Sequence, residues 1–371
     1  MDYAETAIYL AGCAVNGNIP DKSRLEAADM AGLYAFTQAH MIPAIVGYAL
    51  ESAGIKHELF TQARAKALRK AVIFESDLRK ISVSLEEAGI WHMPLKGSVM
   101  KGYYPAFGLR EMSDIDIAFD SSRADDVRKI MTGLGFWTED FCNHTHDVYH
   151  REPVSNVEMH RGLMETWLNP AMGDYYYDVR DKMILDDGKK YTYHFGPEDF
   201  YLYITAHTYK HYSEGGTGLR SLLDCYVYMK KFADSLDWEY ISREAGKMNI
   251  TEFERDFRNL AVTIFGDGES GNVSREMLGY ITASGAYGHI DNEMEHITAG
   301  AFGGSRLRYL LARIFPPFSK LKYMNPHVYT HKYLYPVFVL RRLWRAATVS
   351  RKNVIARLRR IFSRRKGNSV K

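Results

Sequence analysis

Apolar residues recur at three- and four-residue steps through Ala4, Ala7, Ile8 and Ala11, through Met30, Leu33 and Phe36, and along Ala67 to Leu85. That period is the helical one, so residues 1–90 read as a helical cap. Asn16 to Asp21 is a turn, with a helix start near Ser23. The long pattern from His57 stops at Gly89 and passes into a strand over Trp91 to Leu95. The period then shortens to two: Asp114 and Asp116 are separated by Ile115 and followed by Ile117, Ala118 and Phe119. Alternation of this kind predicts a strand with both carboxylates on one face. Ser121-Ser122 is a candidate cap for a helix running to Met131, stopped by Gly133 and Gly135, and Phe136 to Phe141, Asp147 to Arg151 and Asn156 to His160 read as strands. Pro197, with Glu198 and Asp199, opens a further helix, since proline suits the first turn and acids complement the helix dipole. Helices continue to about residue 315, and an irregular stretch runs from Pro316-Pro317 to Pro336. The class is α+β: a small mixed sheet over 91–195, a helical cap before it, a helical domain over 196–315, and a connection with a basic tail over 316–371.

Two like charges held side by side repel, and a bound divalent cation such as Mg²⁺, which takes oxygen ligands, is the usual means of keeping both ionised. Asp114 and Asp116 therefore read as a metal site. Upstream, Gly97-Ser98 follows an apolar run and precedes a short helix over Val99 to Tyr104. A glycine at such a strand-to-helix turn lets backbone amides face a phosphate. Phosphates commonly complete a Mg²⁺ shell, so the two features support each other.

The segment from Leu95 to Asp120 resembles the signature of the nucleotidyltransferase superfamily with a DNA-polymerase-beta-like palm. Within it, Leu95-Lys96-Gly97, Tyr104-Pro105 and Arg110 ahead of Asp114-Ile115-Asp116 are similar to a poorly characterised bacterial group of nucleotidyltransferases. The gap from Ser98 to Asp114 is a few residues longer than is common there. The resemblance implies a third carboxylate at Glu158, in Asn156-Val157-Glu158-Met159-His160. It implies two Mg²⁺ ions held by Asp114, Asp116 and Glu158, an NTP substrate such as ATP with its β and γ phosphates at Gly97-Ser98, and transfer of a nucleoside monophosphate to an acceptor with loss of pyrophosphate. Lys96 and Arg110 are lesser candidates for phosphate charge, and Lys96 has an alternative as a solvent-facing lysine at a strand end. The same group shows a similar His, Gly-x-Arg and Asp pattern, here Gly218-Leu219-Arg220 and Asp224, which implies that the second domain closes on the site with Arg220 at the triphosphate. The alternative for Arg220 is an intrahelical ion pair with Asp224.

Several histidines compete for attention. His144, His146, His150 and His160 suggest zinc, but no second cysteine joins Cys142 at ligand spacing. His160 shares a strand face with Glu158 and is a partner to the site. His207 and His211 share a helix face beside Lys210, a metal pair only if a third ligand exists.

The chain has 371 residues, 46% of them hydrophobic, and three widely spaced cysteines, Cys13, Cys142 and Cys225, which suggest no disulfide framework. The amino terminus lacks a secretory pattern and no run of about 20 apolar residues occurs, so a cytoplasmic protein is expected. A formal charge of +3 hides an asymmetry. Arg341 to Lys371 holds 12 Lys and Arg and no acid, leaving −9 on the other 340 residues. The stripe Val354, Ile355, Leu358, Ile361 and Phe362 amid those cations suits docking on the inner face of a membrane or on a partner, with RNA as an alternative. Rival functions are a catalytically lapsed palm kept for binding and a toxin-like enzyme that transfers nucleotides to tRNA. The acceptor, whether small molecule, protein or RNA, leaves no trace in the sequence.

Overall fold

A computed structural model of the chain describes residues 2–138, 141, 145–164, 169–266, 274–286, several positions between 308 and 321, and 326–348. The fold is α+β. Four helices come first, α1 (Tyr3–Asn16), α2 (Met30–Ala39), α3 (Pro43–Ser52) and α4 (Glu58–Glu87). Their ends follow from local chemistry. The Asp2 carboxylate accepts from the Ala4 N–H and Asp29 from Ala31 and Gly32, satisfying amides that the first turn leaves without intrahelical partners. Proline opens α3.

The sheet follows, interleaved with short helices: β1 (His92–Pro94), α5 (Gly97–Met100), β2 (Ile115–Phe119), α6 (Ala124–Gly133), β3 (Trp137–Thr138), β4 (His146–Arg151) and β5 (Ser155–His160). Its strand order is β1-β2-β5-β4-β3, with β2 and β5 parallel and the other pairs antiparallel. Two expectations shift here. Asp120, rather than Ser121 or Ser122, caps the turn before α6, because its carboxylate accepts from both the Ser122 amide and hydroxyl. The helix expected from Val99 begins two residues earlier, at Gly97, and tightens to a 3₁₀ turn over Lys101–Tyr103. After β3, residues 139–140 and 142–144, with His144 and Cys142 among them, lie outside the described residues.

Alternation divides the sheet into two faces. Ile115, Ile117 and Phe119 of β2, Tyr149 of β4 and Val157 and Met159 of β5 pack with Phe74, Ile81 and Leu85 of α4 and Val127 and Met131 of α6. Each such side chain contributes about 1.5–3 kcal/mol on burial. A slip of one residue in β2 would put its carboxylates into this core, so the register is strongly specified. Met93 and Ala118 lie on the other face and join a second core.

That second core draws on α1 to α3 and on the later helices α8 (Pro197–Glu214), α9 (Leu219–Phe232), α10 (Trp238–Lys247) and α11 (Thr251–Phe265), which follow α7 (Pro170–Tyr175) and a small antiparallel pair, β6 (Met183–Leu185) and β7 (Tyr193–Phe195). α1 packs on α3 and α11. Helix α12 (Arg275–Ser284) and, near the carboxyl end, α13 (Pro326–Thr330) and α14 (Tyr335–Thr348) complete the described elements. Among the described residues no helix is long and apolar enough to cross a membrane. Residues 349–371, including the stripe from Val354 to Phe362, lie outside them.

Candidate active site

Parallel pairing of β2 with β5 places Asp116 opposite Glu158 and Ala118 opposite His160, and β4 adds His146 opposite His160. Period-two geometry then sets Asp114, Asp116, Glu158, His160 and His146 on one face. That face opens into a cavity of about 380 Å³, roofed by α8 and α9 and lined by all five together with Lys96, Gly97, Arg110, His207, Lys210, His211 and Arg220.

Asp116 is the hub. Only 3% exposed, its Oδ1 lies 2.7 Å from Lys96 Nζ and 2.8 Å from His160 Nε2. Burial alone would raise its pKa, but the Lys96 ammonium and the His160 hydrogen bond hold the carboxyl well below the usual range. The second acid, Glu158, has its Oε2 3.4 Å from His160 Nε2 and 3.8 Å from His146 Nε2. Asp114 behaves oppositely: burial, reinforced by the charges of Asp116 and Glu158, pushes its carboxyl up to about 6.

Asp116, Glu158 and His160 offer ligand atoms that all lie within 4.8 Å of one another. Asp114 lines the same cavity two positions upstream but is not part of that set. Crowded, half-compensated carboxylates are what a divalent cation relieves, so these residues fit a metal, with the imidazole as a nitrogen donor beside the oxygens.

The amino-terminal edge of the site is built on an unusual backbone. Lys96 adopts φ 44°, a region that L residues rarely occupy, at a cost on the order of 1–3 kcal/mol. The conformation lets its carbonyl accept from both Val99 and Met100 while its side chain turns back onto Asp116. Lys96 is thus an interior cation, not a solvent-facing one. Burial works against its charge, but Asp116 outweighs that and raises the ammonium above its ordinary value. Gly97 is glycine because a Cβ there would stand 2.3 Å from Arg110 Nη1. Ser98 does not line the cavity: its amide donates to Leu95 O, and its Oγ is buried with no hydrogen-bond partner among the described residues. The two-amide phosphate cradle expected at Gly97-Ser98 therefore reduces to the Gly97 side of the turn.

Arg110 and Arg220 reach the cavity by routes that helical spacing does not reveal. Arg110 gives Nε and Nη2 to the Asp224 carboxylate, at 2.9 and 2.8 Å, and Tyr104 adds its hydroxyl to the same group at 2.7 Å. Asp224 is therefore not the partner of Arg220, whose Nη1 instead lies 3.0 Å from Met41 Sδ and 3.3 Å from Glu111 O. No spacing rule links Asp224 to residues 114 and 120 positions away.

His207 and His211 face each other, Nε2 to Nε2 at 3.2 Å. Burial, followed by the charge of Lys96, drives His207 well below its ordinary value, and burial with Lys210 lowers His211 to about 3. Both shifts favour the neutral ring. Of the histidines weighed for zinc in the sequence, His146 and His160 stand in the site, while His150 packs on the Trp137 ring.

A family model described as an uncharacterised nucleotidyltransferase matches residues 26–266, from just before α2 to the end of α11. No curated protein and no solved structure matches the chain. Since the matched region is more than half of the chain and encloses the whole sheet and its roof, this protein belongs to that uncharacterised nucleotidyltransferase family and is, at that general level, a transferase.

Proposed function

We propose that the protein transfers a nucleoside monophosphate from an NTP to a hydroxyl-bearing acceptor and releases pyrophosphate, in a reaction that depends on Mg²⁺. The observation that carries this reading is the pairing of Asp116 with Glu158 on adjacent parallel strands, on the face that opens into the cavity. Asp116 and Glu158, with Asp114 beside them, are the groups that would hold the divalent ions. A bound ion there would neutralise phosphate charge and polarise the α-phosphate.

The remaining roles belong to side chains. His160, bonded to Asp116 and close to Glu158, keeps the two acids turned toward the same point. Arg220 supplies positive charge from the roof of the cavity, Lys96 lies against Asp116, and Arg110 Nη1, beside Gly97, is the guanidinium nitrogen outside its pairing with Asp224. In the transfer, the acceptor oxygen bonds to the α-phosphorus as the bond to the β-phosphate oxygen breaks. The electron pair leaves with pyrophosphate. Glu158 takes the hydroxyl proton or would instead help to hold the second ion, the proton then passing to solvent.

The test uses purified protein, Mg²⁺, a cell extract and each NTP labelled at either the α or the γ phosphate. Transfer of the α label, abolished by Asp114→Ala/Asp116→Ala, is the expected result. Transfer of the γ label in its place, or no Mg²⁺-dependent nucleotide binding by the unaltered protein, would refute it.

A further inference from the structure

Helix α14 is apolar on two sides, and among the described residues only one of them is covered. On the inner side Val339 is buried, Tyr335 donates its hydroxyl to Pro316 O at 2.9 Å, and the Tyr335 ring lies edge-on to Phe318. The outer side carries Val337, Leu340 and Trp344, spaced by three and four residues and 61%, 65% and 65% exposed. Tyr333, 74% exposed, precedes them in the 3₁₀ turn over Lys332–Leu334. Solvent-facing Val, Leu and Trp in register on one helix are not what a surface helix needs for its own stability.

The charge of the sequence that carries α14 is one-sided. No acidic residue occurs after Glu295, whereas 18 Lys and Arg fall between Arg306 and Lys371, so residues 1–295 carry a formal −15. Nine of those cations lie in the 23 residues that follow α14. Arg341 is exposed beside the apolar stripe.

We propose that α14 is a membrane-seating helix, which lies in the plane of an anionic lipid surface with Val337, Leu340 and Trp344 at the headgroup boundary and the surrounding cations on lipid phosphates. At 14 residues it is too short to span a bilayer, for which about 20 are needed, but suits an interfacial position. Tryptophan favours that boundary. Nucleic acid would engage the cations and stack on Trp344, yet offers nothing to Val337 and Leu340. A second copy would bring two strongly basic segments together. An anionic surface answers both the apolar stripe and the charge, and it repels the acidic body, which fixes which side of the molecule faces the lipid. This inference stands apart from the chemistry of the cavity.

The experiment is co-sedimentation of the full-length chain with phosphatidylcholine vesicles, with and without phosphatidylglycerol. Binding is expected only with the anionic lipid, weakened by salt, with a blue shift of tryptophan emission. The variant Leu340→Glu/Trp344→Glu should bind at least about tenfold more weakly, with unchanged melting temperature and nucleotide binding. Equal binding by wild type and variant, equal partition to neutral vesicles, or no vesicle binding would overturn the proposal. So would RNA binding without vesicle binding, or a concentration-dependent dimer that the variant abolishes.

Discussion

Replacing Asp224 by alanine tests how the helical roof is fastened to the sheet. Asp224 lies on α9, while Arg110 and Tyr104 lie between α5 and β2, so their three hydrogen bonds join the roof of the cavity to the segment that leads into the sheet. The side chains of Arg110 and Asp224 are 8% and 14% exposed. Burial works against the guanidinium charge, and the Asp224 carboxylate more than offsets it, raising the Arg110 pKa. Removal of the carboxylate leaves a buried cation without its counter-charge, a loss of about 3–5 kcal/mol. Set against a total stability of about 5–15 kcal/mol, that is a large fraction. Urea unfolding of Asp224→Ala should therefore show a strongly lowered midpoint with an unchanged slope. The double variant Arg110→Met/Asp224→Ala should recover part of the loss, because no unpaired charge remains, giving a coupling of about 2 kcal/mol or more. A cost below about 1 kcal/mol for Asp224→Ala, or strict additivity of the two single changes, would refute the assignment of this contact as the fastening.

His40 provides a pH test: its Nδ1 accepts from the Leu219 amide and its Nε2 lies 3.2 Å from Thr282 O, so burial holds the ring neutral with a pKa lowered to about 4. The unfolded chain takes up this proton near its ordinary value of 6.5, so the stabilisation is complete above that pH and fades as pH falls toward 4, by about 3 kcal/mol in all; urea midpoints for wild type and His40→Gln should converge over this window, and parallel curves would contradict the account. Lys96→Met removes the ammonium from Asp116, so the variant should melt lower in EDTA and gain more than wild type from added Mg²⁺. An equal Mg²⁺-induced rise in both would show that Lys96 and a divalent ion do not share Asp116.

What was legible in the sequence is what depends on period and on local chemistry. The alternation around Ile115 and Ile117 places one face of β2 in the core and both aspartates on the other, and the helix start at Pro197 follows from proline itself. Cap choice among neighbouring polar residues is less determined, since Asp120, Ser121 and Ser122 are all competent; the carboxylate accepts two bonds at once and prevails. Pairings across long separations were not readable from spacing. The register that sets Asp116 against Glu158 came through resemblance, and Arg220-Asp224 had the form of an intrahelical pair until desolvation of Arg110 claimed the carboxylate. The backbone of Lys96 carried no sequence signal either, because φ above zero is expected of glycine and asparagine rather than lysine.

Charge accounting across the cavity narrows what the site can accept. Arg110 is neutralised by Asp224 and Lys96 by Asp116. Two acids of the cavity floor, Asp114 and Glu158, the latter beside His160, then line the cavity with two cations of the roof, Lys210 and Arg220, and burial favours the neutral form of His207. A plain anion would satisfy the roof and be repelled by the sheet, and a bare cation would do the reverse. A polyphosphate carrying a divalent ion, as the proposed reaction requires, would present both signs, metal to the carboxylates and phosphate oxygens to Lys210 and Arg220. Burial first, and then the negative charge of Asp116 and Glu158, hold the Asp114 carboxyl at about 6, so positive charge placed beside it would favour its ionised form.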